Sequence, residues 1–249
     1  MIILKSEEQI NGIRKSSKIL AESFVYLADK IKPGITTAEL DKIVFSYFKG
    51  RGAKPAFLNY QGFPASICAS VNDTVIHGIP NNRQLKDGDI IGCDIGVIYE
   101  GYISDMAYTF PVGTVTSAAR QLMEVTEKSL YTGIEAVCTG NRIKDIGKAI
   151  TEYIRPFGYG IVHQFCGHGV GLQVHEEPQI SNNYPSFGRN TRIKEGMVLA
   201  IEPMINIGSG DVKILDDGWT VKTVDGTLSA HYEHTVAVFG DRTEILTKL

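Results

Sequence analysis

Apolar residues recur at helical spacing from the start of the chain. Ile10, Ile13, Leu20, Phe24, Leu27 and Ile31 share one face, and Ser6 followed by Gln9 matches a capping box. Lys32-Pro33-Gly34 stops this first predicted helix. Thr36 and Glu39 open a second, with Leu40, Ile43, Val44, Tyr47 and Phe48 on one side and Gly50 and Gly52 at its end. The pattern then changes to β-branched runs in Ser66–Val71, Ile90–Tyr99 and Tyr102–Phe110. Glu100-Gly101 between the last two runs predicts a hairpin turn. Helical spacing returns with Leu122, Val125, Leu130, Ile134 and Val137, ending near Gly140. Ile143, Ile146, Ile150, Tyr153 and Ile154 form the next such face, ended by Pro156 and Gly158.

The order of helix, glycine, helix, strands therefore occurs twice. Aligning Gly34 with Gly140 sets Leu40 on Ile146, Val44 on Ile150 and Tyr47 on Tyr153. Such self-similarity predicts two alike α+β halves, roughly 1–115 and 116–249, packed as a single domain over 1–249 with a site between them. No low-complexity stretch divides the chain.

Composition narrows the partners. Hydrophobic residues at 43% and charged residues at 21% are those of a soluble globular protein. A net charge of -3, with no run of Lys and Arg, argues against nucleic acid. No apolar run reaches the ~20 residues of a membrane span, and the N-terminus turns acidic where a signal peptide stays apolar. Cys68, Cys93, Cys138 and Cys166 form no C-x-x-C pair and read as reduced thiols in a cytoplasmic protein.

Four acids sit in apolar surroundings. Asp94 and Asp105 flank the hairpin turn. With Glu100-Gly101 as the two-residue loop they lie diagonal on one face, and with the turn shifted by one they lie opposite. Two converging carboxylates need a proton or a cation; the alternative is a solvated hairpin face. Gly167-His168-Gly169-Val170-Gly171 suits a strand closely approached by other backbone, and His175-Glu176-Glu177-Pro178 follows it. A Cys166–His168 nucleophile pair would share a face but has no third group to orient it. Glu202 reads as a glutamate inside the apolar strand Met197–Ile205, and Glu233 stands at the head of another. Each could be a structural ion pair. Four acids with a histidine instead suit two divalent ions such as Mn, Fe or Co.

His77-Gly78-Ile79-Pro80, Asp94 and Asp105, the Gly-His-Gly-Val-Gly block, Ile201-Glu202-Pro203 and Tyr232-Glu233-His234-Thr235 together resemble the methionine aminopeptidases, in their short bacterial form, over nearly the whole chain. The resemblance implies an α+β pita-bread fold, that of creatinase and the aminopeptidases, with pseudo-symmetric halves around a dimetal cleft. It implies removal of the initiator methionine from nascent chains when the second residue is small. Asp94 would chelate one metal, Asp105 and Glu233 would bridge both, and His168 and Glu202 would bind the other. Glu202 would assist the attacking water, His175 would stabilise the oxyanion, and His77 would position substrate. Tyr60, Phe63, Cys68 and Trp219 would line the methionine pocket. Asn72, Thr74 and Ser229 match a monovalent-cation site seen in some members. Val174 departs from members with an aromatic there. The resemblance further implies a monomer acting on chain N-termini at the ribosome.

The short interval between Glu202 and Glu233 and the early first helix predict neither a helical insertion nor an N-terminal extension. Two rivals remain: a prolidase or proline aminopeptidase of the same fold, and a non-catalytic binding relative. The first usually carries a further N-terminal domain, and the second loses metal ligands.

Overall fold

The computed structural model describes residues 1–186 and 188–248. Four helices are formed: α1 (Glu7–Ala28), α2 (Thr37–Lys49), α3 (Ser117–Glu135) and α4 (Ile143–Ile154). Capping boxes at Ser6 and Thr36 start the first two, each giving its side-chain oxygen to an otherwise orphaned N–H. Helix α1 ends three residues before the expected Ile31, and Gly34 lies beyond it in a left-handed conformation.

The strands in the first part of the chain are β1 (Lys54–Pro55), β2 (Cys68–Val71), β3 (Thr74–Ile76), β4 (Ile90–Tyr99) and β5 (Tyr102–Pro111). After α4 come β6 (Gly160–Ile161), β7 (Cys166–Gly169), β8 (Glu176–Ser181), β9 (Val198–Ile201) and β10 (Met204–Asn206). The last are β11 (Val212–Ile214), β12 (Val221–Thr223), β13 (Ser229–His231), β14 (Glu233–Val238) and β15 (Thr243–Ile245). A nine-stranded sheet runs β1-β4-β5-β14-β9-β7-β8, with β2 also paired to β4 and β15 to β14. Two small sheets, β13-β10-β6 and β11-β12-β3, flank it.

The β4–β5 hairpin has the diagonal register. Tyr99 pairs with Tyr102, Asp94 with Ala107 and Gly96 with Asp105. Glu100 (φ 52°) and Gly101 (φ 84°) are both left-handed, which is a type I′ turn and matches strand twist. Alternation then sorts the side chains. Ile91, Cys93, Ile95, Val97, Met106 and Phe110 join Leu20, Phe24, Leu40 and Phe48 of α1 and α2 in one core. Leu199, Ile201, Val236 and Val238 join α3 and α4 in a second. Tyr108 packs against both cores, 4.8 Å from the Phe110 ring and 4.9 Å from Tyr232. Helices thus cover one face of the large sheet, and the residues between the apolar ones are left for the other.

One expectation is corrected. Met197–Ile205 is not a single strand carrying Glu202 in its interior. Strand β9 belongs to the large sheet and β10 to a small one, with Glu202-Pro203 at the break. Pro203 has no N–H for a ladder, so the chain changes sheets there. The same switch occurs at Tyr232, between β13 and β14.

Candidate metal centre

The open face of the sheet gathers the acids by register alone. Ala107 pairs with Asp94 on one side and with Glu233 on the other. Lateral neighbours share a face, and so do residues two apart. Asp94, Asp105 and Glu233 therefore point the same way. Ala200 pairs with both Thr235 and His168, which adds His168 to that face, and Glu202 follows two residues after Ala200. The Thr235 hydroxyl donates to the Asp105 carbonyl (2.7 Å) and accepts from its N–H (3.0 Å), locking β5 to β14 beside the acids.

Ligand atoms of Asp105, His168 and Glu233 lie within 4.8 Å of one another. Asp94 and Glu202 line the same cavity, outside that tightest group. His168 Nδ1 meets the Gly169 carbonyl at 2.9 Å. A carbonyl only accepts, so Nδ1 carries the proton and the Nε2 lone pair faces Glu202, 3.5 Å away. The glycines around His168 are steric requirements. A Cβ on Gly167 would stand 2.3 Å from the Ala200 carbonyl oxygen, and one on Gly169 2.4 Å from that of Glu177.

The electrostatics call for protons or a cation among the acids. Burial and mutual repulsion push Asp94, Glu202 and Glu233 well above the usual carboxylate range. Burial raises Asp105 to about 7, against the lowering effect of the Met106 N–H. Burial lowers His168 to about 3, so it is neutral, with a lone pair free for a metal and no charge to offset the acids. No Lys or Arg lines the cavity among the described residues. Asp94 Oδ1 and Glu233 Oε1 are buried with no hydrogen-bond partner among them. Unpaired buried carboxylates cost several kcal/mol each, so oxygen atoms aimed together and left bare fit divalent metal.

Around this cluster is a cavity of about 190 Å³. The four residues expected for a methionine pocket, Tyr60, Phe63, Cys68 and Trp219, all line it. The Phe63 and Trp219 rings meet edge to face at 5.2 Å. Asp41 of α2 accepts from the Ser66 (2.7 Å) and Ile67 (3.2 Å) N–H groups and anchors the loop that carries Tyr60 and Phe63. Val174 is buried in one cluster with Phe63 and Cys68, but it does not reach the cavity surface.

His77 sits at φ 56°, a left-handed conformation that is uncommon outside glycine. Its neighbour Gly78 presses on β2, where a Cβ would meet the Ala69 carbonyl oxygen at 2.4 Å. This turn aims the His77 ring at the cavity, edge-on to Phe165 (5.7 Å) and Trp219 (6.1 Å). Burial and then the charge of His175 lower its pKa to about 4. His175 stands exposed at the rim, 4.3 Å ring to ring from His168, with Nδ1 3.0 Å from the Tyr60 hydroxyl.

Sequence reasoning assigned no role to Phe57, Ile76, Phe165 or His231. The first three line the cavity. His231 is buried, with Nε2 3.7 Å from Glu202 and no hydrogen bond. Its spacing of two from Glu233 was the available signal, obscured because the chain changes sheets between them. Cys166 and His168, the alternative nucleophile pair, line the same cavity. Burial, then Glu202, raise the Cys166 thiol, which disfavours the thiolate a nucleophile needs. Asn72 and Ser229 are brought together by a 2.9 Å main-chain bond, with Thr74 on the adjacent β3.

Comparison with known proteins agrees with this geometry. The sequence pattern of metallopeptidase family M24 matches residues 11–239. A methionine aminopeptidase of Borreliella burgdorferi is 52% identical, over 99% of this chain and 98% of that protein. The crystal structure of methionine aminopeptidase from Rickettsia prowazekii superposes with a TM-score of 0.97 at 40% identity, covering 100% of both chains. Prolidase from Pyrococcus furiosus superposes at 0.82 with 28% identity, covering 99% of this chain but 66% of its own. The chain has the pita-bread fold and belongs to metallopeptidase family M24, on its methionine aminopeptidase branch.

Proposed function

We propose that this protein removes the initiator methionine from polypeptides whose second residue is small, using two divalent ions. The carrying observation is one sheet face with four carboxylates and a neutral imidazole, with no Lys or Arg beside them among the described residues, opening on an aromatic and thiol-lined pocket. Asp94 would hold one ion, His168 and Glu202 the other, with Asp105 and Glu233 shared. The oxygen-rich set with one imidazole suits Mn, Fe or Co. Bound there, such a pair supplies Lewis acidity to the scissile carbonyl and to water.

The side chains supply the rest. Glu202 lies between His168 and His231 and would take a proton from the attacking water. With the Tyr60 hydroxyl donating to Nδ1, the His175 ring keeps its proton on Nε2 and can donate it to the carbonyl oxygen as charge develops there. Neutral His77 donates to or accepts from the substrate amide without adding charge. Phe63, Trp219, Cys68 and Tyr60 offer a thioether side chain aromatic and sulfur contacts. Asn72, Thr74 and Ser229 form a candidate monovalent-cation site, supported by the Ser229 Oγ, which is buried without a partner among the described residues.

The chain reads as one peptidase domain whose halves, 1–115 and 116–249, are pseudo-repeats. The paired positions Leu40 and Ile146, and Val44 and Ile150, are all buried in matching helices. Free cysteines suit a reducing cytoplasm, and no described helix is long and apolar enough to cross a membrane. We place the enzyme there as a monomer, acting on nascent chain ends near the ribosome. The test is hydrolysis of Met-Ala-Ser by chelated protein titrated with Mn, Fe, Co and Zn, beside Ala-Pro. Metal-restored cleavage of the first alone is expected. Cleavage of Ala-Pro would favour the prolidase reading, and full activity without metal would end the mechanism.

A further inference from the structure

The loop that presents His175 is held from beneath by residues outside the cavity. Between β7 and β8 the chain passes through Val170–His175, and Glu176 begins β8. One Glu176 carboxylate oxygen accepts from the main-chain N–H of Leu172 (2.8 Å) and Gln173 (3.0 Å). The other receives the Lys5 ammonium, and both side chains are about 1% exposed. Lys5 also donates to the Ile3 carbonyl (3.2 Å), and its own N–H binds the Gly196 carbonyl (2.7 Å).

The lysine stem is packed as closely as its head. A Cβ on Gly171, at φ 131°, would lie 3.4 Å from Lys5 Cε, and one on Gly196 would lie 2.9 Å from the Lys5 carbonyl oxygen. Val174 is buried in the same cluster as Ile10 and Ile13 of α1. The segment before α1 is thus the floor on which the His175 loop rests. A pair this buried adds little net stability, because desolvation offsets its attraction, but it fixes geometry strongly since either charge alone is penalised.

We propose that Lys5 and Glu176 are positioning residues for His175: the buried pair sets the height and direction at which the imidazole meets substrate. This rests on the reading of His175 as the group facing the carbonyl oxygen. Misplacement of such a donor by about 1 Å can cost ~10²-fold in rate, so the pair acts on turnover at a distance.

The experiment is a double-mutant cycle on metal-loaded protein, reading kcat, KM and metal content for wild type, Lys5→Met, His175→Ala and the double variant. Lys5→Met should lower kcat about tenfold or more, with KM and metal content kept. In the His175→Ala background the same change should alter kcat less than about twofold, since the group it positions is gone. Effects that multiply, or a Lys5→Met protein of lowered melting temperature and full kcat, overturn the proposal. Unchanged kcat in His175→Ala alone overturns the reading beneath it, and the single variant shows this without reference to Lys5. If Lys5→Met does not fold, Lys5→Met/Glu176→Gln carries the same cycle. It buries no charge and keeps an acceptor for Leu172 and Gln173, and the same loss of effect without His175 is expected.

Discussion

His168 and His175 lie 4.3 Å apart ring to ring, and the proposed mechanism gives them different work. His168→Ala should lose metal, because its Nε2 lone pair is aimed at the cluster. His175→Ala should keep metal and lose roughly 10²–10³ in kcat, the cost of one oxyanion donor. Elemental analysis beside steady-state kinetics separates them, and metal loss in His175→Ala would make it a ligand instead. The acids give a pH prediction for chelated protein. Asp105 is raised from 3.8 to about 7 in the fold, and Asp94, Glu202 and Glu233 are raised too. The folded state then binds these protons more tightly than the unfolded chain, so their contribution is present at low pH and lost as pH rises through the folded values. The histidines act oppositely, since His77, His168 and His231 are lowered from 6.5 to about 4, about 3 and about 3, and their contribution is lost as pH falls below 6.5. Above 6.5 these histidines are neutral in both states, and the raised acids still lose protons. The melting temperature of chelated protein should therefore fall as pH rises above about 6.5, through the Asp105 value of about 7, more steeply than that of loaded protein, whose ligands are already deprotonated. A rise over this window would contradict the cluster's electrostatics.

Elements differ in what they tolerate. Gly101→Ala in the I′ turn meets open space and costs only its left-handed backbone, about 1 kcal/mol. Gly167→Ala puts a methyl group 2.3 Å from the Ala200 carbonyl, pushes β7 from β9, and should cost about 1–3 kcal/mol as overpacking does. Because β7 carries His168, that variant should also bind metal more weakly. Thermal melts with metal stoichiometry test both, and unaltered metal binding in Gly167→Ala would mean that the β7–β9 contact does not set the ligand. The elements that were legible in sequence are those with local signals: the capping boxes at Ser6 and Thr36, the Glu100-Gly101 turn, and the close approach implied by the glycines at 167 and 169. The corner at Glu202 was not legible, because an apolar run reads alike whether it stays in one sheet or leaves for another. Asp94 and Asp105 could be paired from one hairpin. Convergence with Glu233 depends on the pairing of β14 with β5, across more than a hundred residues, and that with His168 on the further pairings of β9 with β14 and β7, which no local pattern encodes; the family resemblance supplied both. His231 had only its spacing of two from Glu233, and the change of sheet at Tyr232 hid it.

For the whole molecule, metal is a structural partner as well as a chemical one. Ligands that exist together only in the folded state make loading a stabiliser by mass action, about 2.7 kcal/mol at 100 times Kd. For a chain of this size that raises the melting temperature by about 5–10 °C. Equal melting curves with and without Mn or Co would show that the acids do not hold metal.

The spatial order of the sheet also has a history written into it. Strand β14 lies between β5 and β9, yet it follows both in the chain. During synthesis from the N-terminus, β5 and β9 must wait with a slot open between them, their edges unpaired and prone to wrong partners. Glu233 arrives with the strand that fills the slot. Whatever the ribosome releases earlier can hold Asp94, Asp105, His168 and Glu202 but cannot complete the set. A protein whose proposed work begins on unfinished chains becomes competent only after its own keystone strand has been made.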